Sequence, residues 1–120
     1  MRHFSREEYA ARLHQVQSHM HDRGLELLLA ADPANMCYLT GYDGWSFYVP
    51  QAVLVAVDED QPFWLGRGMD ANAARVTTIL DDEHIHPYPD HYVQAVGMHP
   101  MDFVADWIRA RGWGHRPIGV

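Results

Sequence analysis

LELLLAADPANMCYLTGY, residues 25–42, changes character halfway. Leu25 to Ala31 is a nearly unbroken apolar run, the pattern of a strand buried on both faces. Asp32-Pro33 then has the chemistry of an N-cap followed by proline at the first helical position. A short helix should run from there through Tyr38, and Thr40-Gly41 should end it. A buried strand running into a helix needs a sheet on one side and helices on the other, which is an α/β pattern.

The N-terminal side carries a longer helix. Ser5 and Glu8 have capping-box spacing, and Phe4 and Tyr9 have hydrophobic-staple spacing. Tyr9, Leu13, Val16 and Met20 repeat at i, i+4, i+7 and i+11, which is one helical face. Gly24 stands where a C′ glycine belongs.

On the C-terminal side, residues 41–51 (GYDGWSFYVPQ) mix Gly41, Gly44 and Pro50 with four aromatics, Tyr42, Trp45, Phe47 and Tyr48. Glycine and proline argue for a loop, and clustered aromatics argue for burial, a ligand wall or a protein interface. Ala52 to Val57 and Phe63 to Gly66 are two further strands. The polar turn Asp58-Glu59-Asp60-Gln61-Pro62 joins them as an antiparallel hairpin. A helix is expected from Met69 to Leu80. A short strand follows at Ile85 to Tyr88, with Pro87 and Pro89 marking a sheet edge. Another helix spans Pro100 to Arg111, with Phe103, Val104, Trp107 and Ile108 on its apolar face and Gly112 as its stop. Pro117 to Val120 reads as a last, buried strand. The order α-β-α-loop-β-β-α-β-α-β predicts a mixed, partly antiparallel sheet flanked by helices. A buried strand at the last residue is the pattern of a domain cut from a longer chain.

Composition narrows the function classes. The chain has 120 residues and a net charge of −7 with histidine neutral, and all nine of its positive residues are arginine. An acidic surface does not suit a phosphate backbone, so no nucleic-acid partner is expected. No apolar run approaches the roughly 20 residues of a membrane span, and the N-terminus lacks a signal-peptide core. Cys37 is the lone cysteine, which excludes an internal disulfide and a CxxC metal knuckle. A reducing cytoplasm is the expected location.

Four chemistries are open to these residues. Ser46, in Gly44-Trp45-Ser46-Phe47-Tyr48, has half of a nucleophile elbow, but the second glycine that the sharp turn needs is missing. His84 and His86 lie two apart on a strand and so share a face, with His91 and His99 in the loop that follows. No HExxH motif accompanies them, and scattered, solvated histidines are the plain reading. Gly66-Arg67-Gly68-Met69-Asp70-Ala71 formally fits a dinucleotide fingerprint, yet its strand is the second arm of a hairpin rather than the first of a βαβ unit. Arg67 fixed at a strand end has the geometry to hold a carboxylate in a bidentate contact, or to pair with Asp70 or Asp43. The aromatic loop is the fourth candidate, as a packing cluster or as a binding wall.

Asn35-Met36-Cys37-Tyr38-Leu39-Thr40-Gly41-Tyr42 resembles the N-x-x-Y-L-[ST]-G-[FY] segment in the N-terminal domain of the creatinase/prolidase/aminopeptidase P family. The element order is also similar along nearly the whole chain. Residues 64–70 (WLGRGMD) and 99–102 (HPMD) look most like the ectoine hydrolase branch. The resemblance implies a creatinase-type N-terminal domain over residues 1–120, with a ribonuclease H-like motif. It implies a C-terminal "pita-bread" catalytic domain outside this chain, where the metallopeptidase members hold two metals that activate water. No residue here matches those ligands, so no catalytic residue, metal or cofactor is expected in this chain. The implied partners are the chain's own catalytic domain, a second subunit of a homodimer and a small-molecule substrate.

In such dimers the loop after Y-L-[ST]-G contacts substrate. By position Phe47 matches the aromatic of creatinase, while Val49 stands where creatinase has its arginine, which argues against creatine. Trp45, Phe47 and Tyr48 are therefore the candidate substrate wall, with Arg67 as a second carboxylate partner. A cyclic amidinium such as ectoine would stack on such a ring as a cation. The alternative is a free-standing module of the same fold that binds a small molecule or a protein without hydrolysis.

Overall fold

A computed structural model describes residues 4–42, 51–89 and 99–120. The elements are α1 (Arg6–Asp22), β1 (Leu27–Ala30), α2 (Pro33–Thr40), β2 (Ala52–Ala56), β3 (Phe63–Arg67), α3 (Gly68–Thr77), a 3-10 turn (Asp82–His84), β4 (Ile85–Tyr88), α4 (Pro100–Ala110) and β5 (Ile118–Gly119). The five strands lie in the order β4-β3-β2-β1-β5. β1–β2 and β2–β3 are antiparallel, while β3–β4 and β1–β5 are parallel. The sheet is thus mixed as expected, and β4 with its proline is an edge.

Side chains alternate across the sheet with period two, and each face has its own core. Leu28, Ala30, Val53, Val55 and Trp64 face α1, α2 and α3, together with Tyr9, Leu13, Met20, Met36, Leu39 and Tyr42. Leu27, Leu29, Leu54, Ala56, Phe63 and Leu65 face α4, where Phe103, Val104, Trp107 and Ile108 meet them.

The caps explain where the helices stop. The Ser5 hydroxyl accepts from Glu8 N, and the Phe4 and Tyr9 rings meet edge to face at 6.2 Å. Gly24 is left-handed (φ 71°), and its N–H and that of Leu25 donate to His21 O and Met20 O. That pair of bonds is a Schellman motif. Asp32 caps α2 by accepting from Asn35 N, and Gly41 closes it at φ 84°.

Three sequence expectations need correction. β1 is shorter than Leu25–Ala31, because Leu25 belongs to the α1 cap and Glu26 N reaches Pro117 O. Its last three residues are only half-buried, since β5 runs beside Leu27 and Leu28 alone. α3 ends at Thr77 instead of Leu80. Thr77 and Thr78 both donate their hydroxyls to the carbonyls four residues back, and Ile79 N turns to Thr40 O. Such back-bonding by β-branched residues loosens a helix end. β5 is not a buried strand: it is a two-residue edge with Ile118 46% exposed.

Candidate functional site

Trp45, Phe47 and Tyr48 lie outside the described residues, as do Ser46 and His91. The flanks of their segment are described, and they are built firmly. Thr40 Oγ1 donates to Met36 O (2.8 Å) and accepts from Tyr42 N (3.1 Å). Gly41 is tight as well as left-handed: a Cβ there would come 2.9 Å from Tyr9 Oη and 3.1 Å from Thr77 O. Tyr42 is buried, its ring 5.4 Å from that of Trp64. Its hydroxyl donates to Gln51 Oε1 at 2.9 Å, so residues 42 and 51 are tied together inside the core. Burial pushes the Tyr42 pKa up to about 12, with a further push from the Asp70 carboxylate. Tyr42 therefore remains a neutral donor.

Strand register relates this stem to Arg67. Ala52 of β2 pairs with Leu65 of β3, so the start of β2 lies beside the end of β3. Arg67, half-buried, ends β3 and is the N-cap of α3, opposite Tyr88 of β4. Asp70 sits in the first turn of α3. The fold thus gathers the 42/51 stem, Arg67 and Asp70 at one end of the sheet. That end carries a cation, a carboxylate and the buried Tyr42 ring.

The glycine pattern at 66–71 has an internal explanation. A Cβ on Gly66 would lie 2.5 Å from the Trp64 ring, so packing against that indole accounts for the first glycine of the pattern. Trp64 is fully buried, and its Nε1 has no hydrogen-bond partner.

Among the described histidines, His14, His19, His21, His99 and His115 are exposed, as expected, while His84 and His86 are half-buried. His84 stacks on Phe63 at 4.5 Å and 22°, and His86 lies 6.1 Å from Phe63 and 5.0 Å from Trp107. Both approach Phe63 and so share one side of the sheet, as expected, but His84 belongs to the 3-10 turn and only His86 to the strand. His99, read as a loop residue, is the N-cap of α4. Its Nδ1 accepts from Met101 N, and Asp102 accepts from His99 N. The signal was present in His-Pro-x-Asp, a cap, an N1 proline and an N3 acid.

One cluster was missed by sequence reasoning. Ligand atoms of Glu59, Asp60 and His84 lie within 4.8 Å of one another, with His84 Nε2 4.0 Å from Glu59 Oε1. The hairpin turn and the 3-10 turn bring them together, a proximity that spacing along the chain does not reveal. At 4.0 Å there is no hydrogen bond, and Asp60 is exposed. It is a loose approach of a largely buried imidazole to a part-exposed carboxylate, and we assign it no metal.

Known proteins share this architecture. Residues 12–120 match the family model described as Creatinase/Prolidase N-terminal domain. An ectoine hydrolase from Halomonas elongata is 52% identical over 98% of this chain, and the chain spans 29% of its length. Among solved structures, the dipeptidase PepE from Mycobacterium ulcerans superposes with a TM-score of 0.70 at 17% identity, covering 97% of this chain and 35% of that one. The N-terminal domain of an Xaa-Pro dipeptidase from Lactobacillus brevis gives a TM-score of 0.67 at 21% identity, covering 84% of this chain and 69% of that one.

Proposed function

From the premise that this chain belongs to the Creatinase/Prolidase N-terminal domain family, we propose that it is the non-catalytic N-terminal domain of a C–N bond hydrolase. The family of substrates runs from Xaa-Pro peptides to creatine-like and ectoine-like compounds. The observation that carries this reading is 52% identity along nearly the whole chain to an ectoine hydrolase of which the chain spans only 29%. In this reading the reaction, and any two-metal centre that activates water for it, belong to the C-terminal part of a longer protein.

The chain's own part is to bind and cover. Residues 43–50, with Trp45, Phe47 and Tyr48, form the substrate-facing wall, and Arg67 beside the 42/51 stem is a carboxylate partner. A zwitterionic cyclic amidine suits this pairing, because its cationic ring stacks on an aromatic and its carboxylate meets an arginine. A homodimer in the cytoplasm is part of the same proposal. Surface for its contacts is available: a hollow of about 360 Å³ lies between α1 and β1, lined by Val16, Met20, Leu25 and Leu28 together with His19 and Arg23. No helix among the described residues is long and apolar enough to cross a membrane.

The test is hydrolysis by the full-length protein of ectoine, a prolyl dipeptide and creatine. Turnover of ectoine is expected, and the 120-residue chain alone should release nothing. Inactivity of the full-length protein on all three substrates would overturn the proposal.

A further inference from the structure

We propose that His86 is an acid-sensitive latch that holds α4 against the sheet and loosens when the ring takes up a proton. The Glu83 backbone favours the protonated ring. Nε2 is buried and has no hydrogen-bond partner among the described residues. The neutral ring therefore carries its hydrogen on Nδ1 and keeps a bare lone pair on Nε2. A second proton has to go to Nε2, where it would create a buried N–H with no acceptor and a buried charge.

The neighbours make that charge more costly. From β3 come the Phe63 ring, at 6.1 Å, and Leu65, the register partner of His86. From the 3-10 turn comes His84, a second titratable imidazole, stacked on Phe63. From α4 come the Trp107 ring, at 5.0 Å, and Arg111. The Arg111 guanidinium already occupies the aromatic faces there, 4.6 Å from Phe63, 5.0 Å from Trp107 and 4.6 Å from Trp113. The Glu59 carboxylate approaches His84, 4.0 Å from its Nε2. A protonated His86 is thus pushed by Arg111 and by any charge on His84. A new N–H on Nε2 finds no acceptor among the described residues while α4 stays packed over Phe63.

The proton affinity of the ring agrees with the geometry. Burial holds the His86 pKa below its ordinary value of 6.5, and Arg111 and His84 push it the same way, against the Glu83 backbone. A histidine whose folded-state pKa is depressed leaves stability intact above the unfolded pKa. That stability is lost as pH falls below about 6.5. The latch is closed at neutral pH and opens under mild acid.

Amide hydrogen exchange read by mass spectrometry on the full protein that carries this chain tests the latch. Rates are corrected for the intrinsic effect of pH. Peptides from Pro100–Ala110 should lose protection by about tenfold between pH 7 and pH 5, while peptides from Arg6–Asp22 should keep theirs. His86→Phe, which fills the site with a ring that cannot titrate, should make α4 protection flat across that range. His86→Gln serves the same purpose if the phenylalanine variant does not fold. A flat α4 response in the unaltered protein would overturn the latch. So would an acid response that persists in the non-titrating variant.

Discussion

The two faces of the sheet are built from the same strands and behave as different materials. The face under α1, α2 and α3 is closed by aliphatic side chains, Trp64 and Tyr42, and its polar groups are mostly satisfied in pairs. The face under α4 is a layer of rings, Phe63, Trp107, Trp113, His84 and His86, with Arg111 lying over them. One face carries a group with a pKa near 12, and the other carries imidazoles. The difference teaches that a single sheet can have one side indifferent to physiological pH and one side responsive to it. Alternation along β3 is enough to separate them, because Phe63 and Trp64 are adjacent in sequence and opposite in space.

The strongest way to break the comparison is to empty the insensitive face. Trp64→Ala removes the largest fully buried side chain and leaves a cavity under Tyr42. The expected loss is about 3–5 kcal/mol of unfolding free energy, read by urea titration. A domain of this size has only about 5–15 kcal/mol in hand, so the variant should sit near the edge of folding. A loss below about 1 kcal/mol would mean that this face is not one packed core.

Next in size is Gly41→Ala, with Gly24→Ala as its partner. Both glycines are left-handed, at φ 84° and 71°. Around Gly24 nothing lies within 4 Å of an added Cβ, whereas at Gly41 Tyr9 Oη and the Thr77 carbonyl already crowd the position. Gly24→Ala should cost about 1–2 kcal/mol from backbone strain alone. Gly41→Ala should cost about 1–3 kcal/mol more, because one neighbour is backbone and cannot rotate away. Equal losses in thermal unfolding would show that the packing at Gly41 is softer than its distances imply.

Tyr42→Phe sharpens the comparison at the stem. It leaves the ring on Trp64 but strips the hydrogen bond to buried Gln51, with an expected cost of about 1–3 kcal/mol. Gln51→Leu in the same background should return part of that loss, since an apolar group replaces the orphaned amide. No return would mean that the amide finds another partner.

Residues 25–42 made the α/β order legible because local rules and burial agree there. Asp32-Pro33 can be little other than a helix start, and the apolar run ahead of it can be little other than a strand. The misread boundaries are places where tertiary contacts override propensity. Thr77 and Thr78 close α3 by bonding backward, and Leu25 is drawn into the cap of α1. The site was less legible. Spacing put His84 and His86 on one face, but nothing in the sequence says that α4 lays Trp107 and Arg111 over that face. The Glu59–His84 approach and the Tyr42–Gln51 bond depend on which strand lies beside which. Arg67 was placed correctly at a strand end. Its role, like those of Trp45, Phe47 and Tyr48, rests on the family resemblance and waits on activity.

The smallest expected effect comes from the third kind of region, the solvent-facing rim. Arg116 makes two 2.9 Å hydrogen bonds to Asp58 and lies 3.5 Å from Glu26. The geometry is bidentate, yet the Asp58 side chain is 57% exposed, so water and salt screen the pair. Arg116→Ala should cost less than about 1 kcal/mol at neutral pH, and still less in high salt. Its pH signature differs from that of His86. The hydrogen bonds from Arg116 hold the Asp58 pKa below its usual 3.8. A depressed carboxylate contributes stability above its unfolded pKa and loses it as pH falls through the folded one. The Arg116 contribution should therefore be constant from pH 7 to pH 5 and fade only below about pH 4. A difference between the two proteins that already shrinks between pH 7 and pH 5 would mean that the rim and the α4 face titrate as one unit.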